Sequence, residues 1–214
     1  MAAKSATTSI ELPPLNIQTV EVPIIGDGPL IVHAWSRKAR EQMLAKQMKK
    51  ATAGKTAKDP WQDFCESLYW LDGLPDRPTE DDVENGRFGF PAVAFKASAI
   101  TAVTTIGSLT KVLARQCFHI ADEMVEILGP PPAMREDMVR VGMGTADIRH
   151  RGEFKPWGAI LRVQFNANVL SAEQVLSLFE AGGFGVGVGE WRPEKDGVSG
   201  RFHVARTGEA MPCR

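Results

Sequence analysis

The segment from Trp157 to Ala205 narrows the fold of this chain more than any other stretch. Trp157, Ala159, Leu161, Val163 and Phe165 alternate with Gly158, Ile160, Arg162 and Gln164. This is the period-two pattern of a strand with one buried and one wet face. Ser171-Ala172-Glu173-Gln174 then reads as a capping box, with Leu170 and Val175 placed as its hydrophobic staple. Gly182-Gly183 supplies a left-handed cap to end that helix, and a glycine-rich segment leads into a strand from Gly200 to Ala205. A β-α-β unit is therefore expected at the C-terminal end.

The other end carries a matching signal. Ile17 to Ile25 and Leu30 to Trp35 flank Gly26-Asp27-Gly28-Pro29, and Val20, Val22 and Ile24 alternate with polar or turn residues, which predicts a β-hairpin. Ser36 caps a helix that starts at Arg37 and runs through Met43, Leu44 and Met48. Asp59-Pro60 starts another, with a cap followed by proline at the first helical position. Its apolar face is Trp61, Phe64, Cys65, Leu68, Tyr69 and Leu71. Asp72 to Arg87 reads as an acidic loop carrying Glu80-Asp81-Asp82, and Phe90-Pro91 opens a helix with Val93, Ala94, Ala97, Ile100 and Val103 towards the core. Short strands are expected at Cys117 to Ile120, Met124 to Leu128 and Met138 to Val141, with Pro130-Pro131-Pro132 as a break.

These elements predict an α+β protein, a ferredoxin-like antiparallel or mixed sheet covered by helices, with an inserted helical region. Residues 15–206 form the single domain, residues 1–14 a flexible N-terminal tail and residues 207–214 a C-terminal tail. With 43% hydrophobic and 24% charged residues among 214, the chain can bury a real core. Its formal net charge of −1 provides no global attraction to nucleic acid or acidic membrane, so any such attraction must be local. One local field exists: from Arg37 to Lys58 there are eight basic residues against one acid, Glu41. Three cysteines, far apart and odd in number, argue against a disulfide framework and suit a reducing cytoplasm. The start, Met1 to Ser5, has no apolar run of a signal peptide. The longest apolar stretch, Phe90 to Ile106, is broken by Lys96 and is too polar to cross a bilayer, so no membrane partner is expected.

Several motifs fail on context. Gly54-Lys55-Thr56 ends like a phosphate-binding loop, but Lys49 stands where that motif needs its first glycine. Gly185-Val186-Gly187-Val188-Gly189 follows a helix and precedes a strand, the reverse of a dinucleotide-binding turn. These glycines permit either a bulged strand or a backbone that approaches a ligand closely. His33, His119, His150 and His203 lack ligand spacing, no Cys-x-x-Cys occurs, and Gly197-Val198-Ser199-Gly200 lacks nucleophile-elbow spacing. No enzyme class, metal or cofactor is expected.

What remains is cationic and aromatic. Trp191, Arg192, Lys195 and Arg201 surround the glycine loop, and Arg149-His150-Arg151 forms a second cluster with Arg135 and Arg140 upstream. Together with Arg37, Lys38, Arg40, Lys46, Lys49 and Lys50 of the basic segment, Arg149, Arg151, Trp191, Arg192, Lys195 and Arg201 are the candidate nucleic-acid contacts, cations for phosphate and tryptophan for stacked bases. Protein interfaces favour the same residue types, and Arg135 is also placed to pair with Glu136 or Asp137.

Phe88-Gly89-Phe90-Pro91-Ala92-Val93-Ala94-Phe95-Lys96, Arg135 to Arg140 and Phe184 to Lys195 resemble segments of a family of bacteriophage and prophage proteins, over roughly residues 15–205. The glycine-rich turn leading to Gly200-Arg201-Phe202 is also similar to the glycine-rich loop of RAMP-type proteins, the RNA-binding subunits of CRISPR complexes. Pro193-Glu194-Lys195-Asp196 inside that loop departs from their pattern. The resemblances imply a phage protein in the host bacterial cytoplasm that binds single-stranded DNA or RNA, or assembles a nucleoprotein, without catalysis. The alternative is a phage structural or assembly protein, or an inhibitor that binds a host protein. Pairing of basic residues 37–58 with acidic residues 72–84 between copies would then give a homo-oligomer.

Overall fold

The alternating segment after Trp157 becomes a strand at Gly158–Asn166, with Ala159, Leu161, Val163 and Phe165 buried and Ile160, Arg162 and Gln164 exposed. The computed structural model describes residues 13–48, 58–107, 109–141 and 144–213, and at positions 38, 141 and 145 the backbone alone. The chain runs β1 (Ile17–Gly26), β2 (Leu30–Val32), α1 (Arg37–Gln47), α2 (Pro60–Ser67), α3 (Glu80–Asn85), β3 (Gly89–Pro91), α4 (Ala92–Ile106) and α5 (Lys111–Cys117). It continues β4 (Phe118–Ile120), β5 (Met124–Glu126), β6 (Ala133–Val141), β7 (Thr145–Phe154), β8 (Gly158–Asn166), α6 (Ala172–Gly185), a 3-10 turn (Pro193–Lys195) and β9 (Phe202–Val204).

The main sheet has the order β4-β8-β1-β9, with every neighbouring pair antiparallel. Taken as β1-α4-β4 and β8-α6-β9, this is the ferredoxin-like arrangement, two split β-α-β units interleaved in one sheet. The first insertion, between β1 and α4, holds β2, α1, α2, α3 and β3, and the second, between β4 and β8, holds β5, β6 and β7. The two insertions pair with each other, β2 with β7 and β3 with β5. Thus β2-β7-β6 forms a second sheet beside the first. No helix among the described residues is long and apolar enough to cross a membrane.

Local chemistry starts the helices where the sequence placed them. Ser36 accepts from the Ala39 N–H, Asp59 from those of Trp61 and Gln62, and Ser171 and Gln174 close the capping box. α4 buries Phe95, Ser98, Ala99, Ala102 and Val103, positions that share one helical face. Val93 and Ala97, expected on that face, are exposed. An aromatic line runs through the core from Tyr69 to Phe90, Phe95, Phe202 and Trp157, with ring centroids 5.5, 5.9, 6.0 and 6.2 Å apart and edge-on contacts. Each of these large side chains contributes roughly 1.5–3 kcal/mol when fully buried, with the edge-to-face geometry adding to it.

Four expectations change. β1 and β2 do not form a hairpin, because the turn between them bonds elsewhere. The Gly26 and Asp27 N–H groups donate to the Trp157 and Arg201 carbonyls, Gly200 N–H donates to the Pro29 carbonyl, and the Trp157 indole donates to Gly28 O at 2.7 Å. The helix after Asp59 stops at Ser67, so Tyr69 and Leu71 lie beyond it. The acidic stretch contains a short helix, α3, started by a Thr79–Asp82 capping box with Val83 buried beneath. Gly182 and Gly183 do not end α6. They lie inside it, where the Ser98 hydroxyl donates to Gly182 O at 2.7 Å and a Cβ on Gly183 would collide with the Phe202 carbonyl oxygen. The left-handed residue comes later, at Gly187 (φ 69°).

Gly183→Ala should therefore lower the unfolding free energy by about 1–3 kcal/mol through overpacking. Gly185→Ala, whose Cβ would meet nothing within 4 Å, should leave it unchanged or raise it by up to about 1 kcal/mol. Urea denaturation of the two variants checks this, and equal effects would show that contact with β9 does not restrict position 183.

Candidate nucleic-acid interface

A single serine opens the surface where the two insertions meet. β2 pairs with β7 through Val32 opposite Gly152, and there the ladder stops. The next free N–H, that of Ala34, donates to Ser67 O at 2.7 Å, and the Gly152 N–H donates to Ser67 Oγ at 3.0 Å. Ser67, at the end of α2, thus stands between the strands, and Leu68 fills the space that a side chain at Gly152 would need. The chain from His33 to Ser36 peels away from β7 towards α1.

Three concavities ring that segment. The first, about 240 Å³, lies under the glycine loop and is lined by Ile31, His33, Tyr69, Phe90 and Arg192 with Val186 to Glu190. The second, about 470 Å³, shares His33 and continues along Trp35, Gln42, Lys58, Asp147, Arg149 and His150. The third, about 620 Å³, shares Trp35 with the second and Tyr69 with the first, and adds Arg37, Arg40, Glu66 and Trp70. Trp35 is more than half exposed, an aromatic face open to solvent at the junction.

The glycine loop is an ordered wall of the first cavity. Val188 N–H donates to Gly200 O and Glu190 N–H to Ile31 O, both at 2.9 Å. Gly187 and Gly189 have left-handed φ of 69° and 77°, and a Cβ on Gly189 would crowd the Ile31 carbonyl. The glycines serve a close approach of loop to strand, and their backbone also lines the cavity. Trp191 takes a left-handed φ of 55°, a conformation that costs energy for a bulky residue.

The predicted cations divide. Arg37, Arg40, Arg149 and Arg192 line the three concavities. Lys46 is exposed in the last turn of α1, where its charge suits the helix dipole. For Lys38 the backbone alone is described, and Lys49 and Lys50, like Gly54-Lys55-Thr56, lie outside the described residues. Arg151 is buried: it bonds Asp137 at 3.1 Å, with Glu190 at 3.8 Å, and its Nε has no partner. Burial pushes the Asp137 carboxyl up, but hydrogen bonds from Arg135 and Arg151 outweigh it and hold the group below the usual carboxylate range. Arg192 is folded onto Glu194 Oε2 at 2.7 Å and onto the Gly189 carbonyl at 3.0 Å. Trp191, Lys195 and Arg201 line none of the three concavities, and Arg201 donates to Val198 O at 3.2 Å.

His33, Trp35 and Tyr69 complete the surface with Lys58, the last residue of the basic segment, although sequence reasoning singled out none of the first three as a contact. Trp35 alone had a usable signal, a large aromatic between a strand and a helix cap. Burial lowers the His33 pKa from its ordinary 6.5, with Arg151 adding to the effect, and its Nδ1 is buried without a partner. Burial also raises the Tyr69 phenol, with Glu190 contributing. No group of histidine, cysteine and carboxylate side chains among the described residues is arranged to hold a metal ion.

No family model and no curated protein matches the chain. Among solved structures it is similar to the crystal structure of Cmr6 from Pyrococcus furiosus, at 9% sequence identity. That likeness covers 90% of this chain and 100% of that one, with a TM-score of 0.43.

The histidines give this geometry a direct test. His33 should titrate below 6.5, and so should His119, which is partly desolvated and faces Lys96. His203 should titrate above 6.5, because hydrogen bonds to Glu209 and Asp27 outweigh its burial. As pH falls through 6.5 the unfolded chain takes up a proton at position 33 that the folded chain refuses, so this residue makes stability fall with pH. NMR titration of the imidazole protons checks the directions, and a His33 midpoint at or above 6.5 would contradict the burial of that ring.

Proposed function

We propose that this chain binds single-stranded nucleic acid, RNA or DNA, as a non-catalytic phage-encoded subunit of a nucleoprotein. The observation that carries the reading is the junction of three concavities at His33 to Ser36, with Trp35 exposed at its centre and Arg37, Arg40, Lys58 and Arg149 along its walls. A single strand presents repeating phosphates and unstacked bases. A groove that alternates cations with an aromatic face meets both without reading sequence.

The ion pairs already present do not block this role. Lys58 and Arg149 both reach Asp147, and Arg37 lies 4.0 Å from Glu66 and 3.7 Å from Asp76. Exposed pairs of this kind are worth about 1 kcal/mol or less, so an incoming phosphate can compete for the same cations. Arg40 has no ion pair among the described residues.

The alternative, an assembly protein that pairs its basic and acidic segments between copies, loses part of its charge argument here. The Arg37–Asp76 pair joins those segments within one chain. What still favours a protein partner is the face of β6 and β7 that carries Met134, Met138 and Ile148, all at least 46% exposed.

Fluorescence anisotropy with labelled single-stranded RNA and DNA across a salt series tests the proposal. Binding should weaken steeply with salt, and Arg40→Ala/Arg149→Ala should reduce the log–log slope by about 0.7 for each phosphate that is no longer neutralised. Trp35→Ala should cost about 1–3 kcal/mol of binding free energy. No binding at low salt, or binding that neither variant changes, would reject the groove and turn attention to the Met134–Met138–Ile148 face.

A further inference from the structure

The cavity under the glycine loop differs in kind from the groove it joins, being narrower and walled by apolar groups with a few convergent polar ones. We propose that it is a nucleobase pocket that selects guanine from the bound strand, an inference that rests on the single-strand reading above. Its volume of about 240 Å³ suits one base and is too small for a folded peptide segment. Ile31, Tyr69 and Phe90 supply flat or aliphatic walls, while α4 contributes only small residues there, Ala94 and Ala97 among them. Specific recognition of single strands works this way, with a splayed base held against aromatic side chains and read along its polar edge.

The polar groups decide which base. Arg192 holds Glu194 in an ion pair, both donors reaching Oε2, at 3.0 and 2.7 Å. Glu190 lines the cavity with its nearest cation, Arg151, at 3.8 Å, beyond hydrogen-bond reach. An ionised carboxylate only accepts, and its two oxygens match two adjacent donors. Guanine presents such a pair, the ring N1–H beside the exocyclic N2 amine. Adenine and cytosine present one donor beside acceptors along the same edge, and uracil one N–H between two carbonyls, so none of them offers two adjacent donor groups. His33 lines the same cavity, and its Nδ1 is buried without a partner. His33 also lines the neighbouring groove, so a strand lying across Trp35 can turn one base inward without leaving its phosphate contacts.

The test uses the full chain and labelled uridine strands that carry one central guanine, adenine, cytosine or inosine, read by anisotropy. The guanine strand should bind about five- to tenfold tighter than the others, the size of one bidentate base contact. Inosine, which keeps the N1–H but lacks the amine, should fall back towards uridine. In Glu190→Gln and in Ala97→Leu, a solvent-exposed position that lines the cavity, the ratio of guanine to uridine affinity should fall to about one, with thermal melting confirming that both variants fold. Equal binding of all strands by the wild type, or a guanine preference that survives both variants, overturns the pocket and leaves the groove standing. Failure of every strand to bind takes down both. Guanosine monophosphate should compete far more weakly than the guanine strand, and equal competition would overturn the strand as the source of the base.

Discussion

Two glycines inside α6 set the distance on which the rest of the molecule depends. At Gly182 and Gly183 the helix lies against Ser98 and Ala99 of α4 on one side and the Phe202 carbonyl of β9 on the other. Glycine in a helix interior costs up to about 1 kcal/mol relative to alanine. Close packing of two helices over one sheet offsets that cost through buried area at Phe95, Phe179 and Phe202. The same approach directs the chain that leaves α6 back over β2, so the glycine loop becomes a wall of the first cavity and not a free turn.

Where a segment's fate was decided by its own residues, the sequence was readable. The β8 alternation, the Ser171 capping box, the Ser36 cap and Asp59-Pro60 all act within a few positions, and each appears as expected. Those signals, with β1, were enough for the ferredoxin-like core. The errors arose where distant partners decide. Gly26 to Pro29 has the composition of a hairpin turn, yet its polar groups go to Trp157, Gly200 and Arg201. Gly182-Gly183 looks like a cap because glycine fits both a left-handed φ and a tight contact, and only the facing β9 distinguishes them. β7 escaped notice because Asp147, Arg149, Arg151 and Glu153 put charge on every second position of the strand, and the partner that lets Arg151 be buried, Asp137, is visible only in three dimensions.

Electrostatics explains why the candidate contacts were only partly legible. A basic residue in a sequence is a free charge, while in the fold it is whatever its neighbours leave. Arg151 is committed to Asp137 inside the second sheet, where removing one partner would strand a buried charge. Arg192 is committed to Glu194. Arg40 has no ion pair among the described residues and borders the third concavity, while Arg149 borders the second and is paired with Asp147 at 2.9 Å. The near-zero net charge is matched locally, since Asp63, Glu66 and Asp147 line the concavities at Trp35 and Asp76 pairs with Arg37, so a ligand's phosphates would have to displace exposed ion pairs.

The surface itself follows from one interruption of a hydrogen-bond ladder. Had β2 continued to pair with β7 past Val32, residues 33–36 would be a strand edge and Trp35 would pack flat against the sheet. Ser67 prevents this by taking both the Ala34 N–H on its carbonyl and the Gly152 N–H on its hydroxyl, while that hydroxyl donates to Phe64 O at 2.6 Å. The two N–H groups at the split keep partners, which limits its cost, and it leaves a cleft between residues 33–36 and β7. A groove held open this way is preorganised: its cations and its aromatic face are in place before any ligand arrives, and binding does not carry the entropic cost of ordering them.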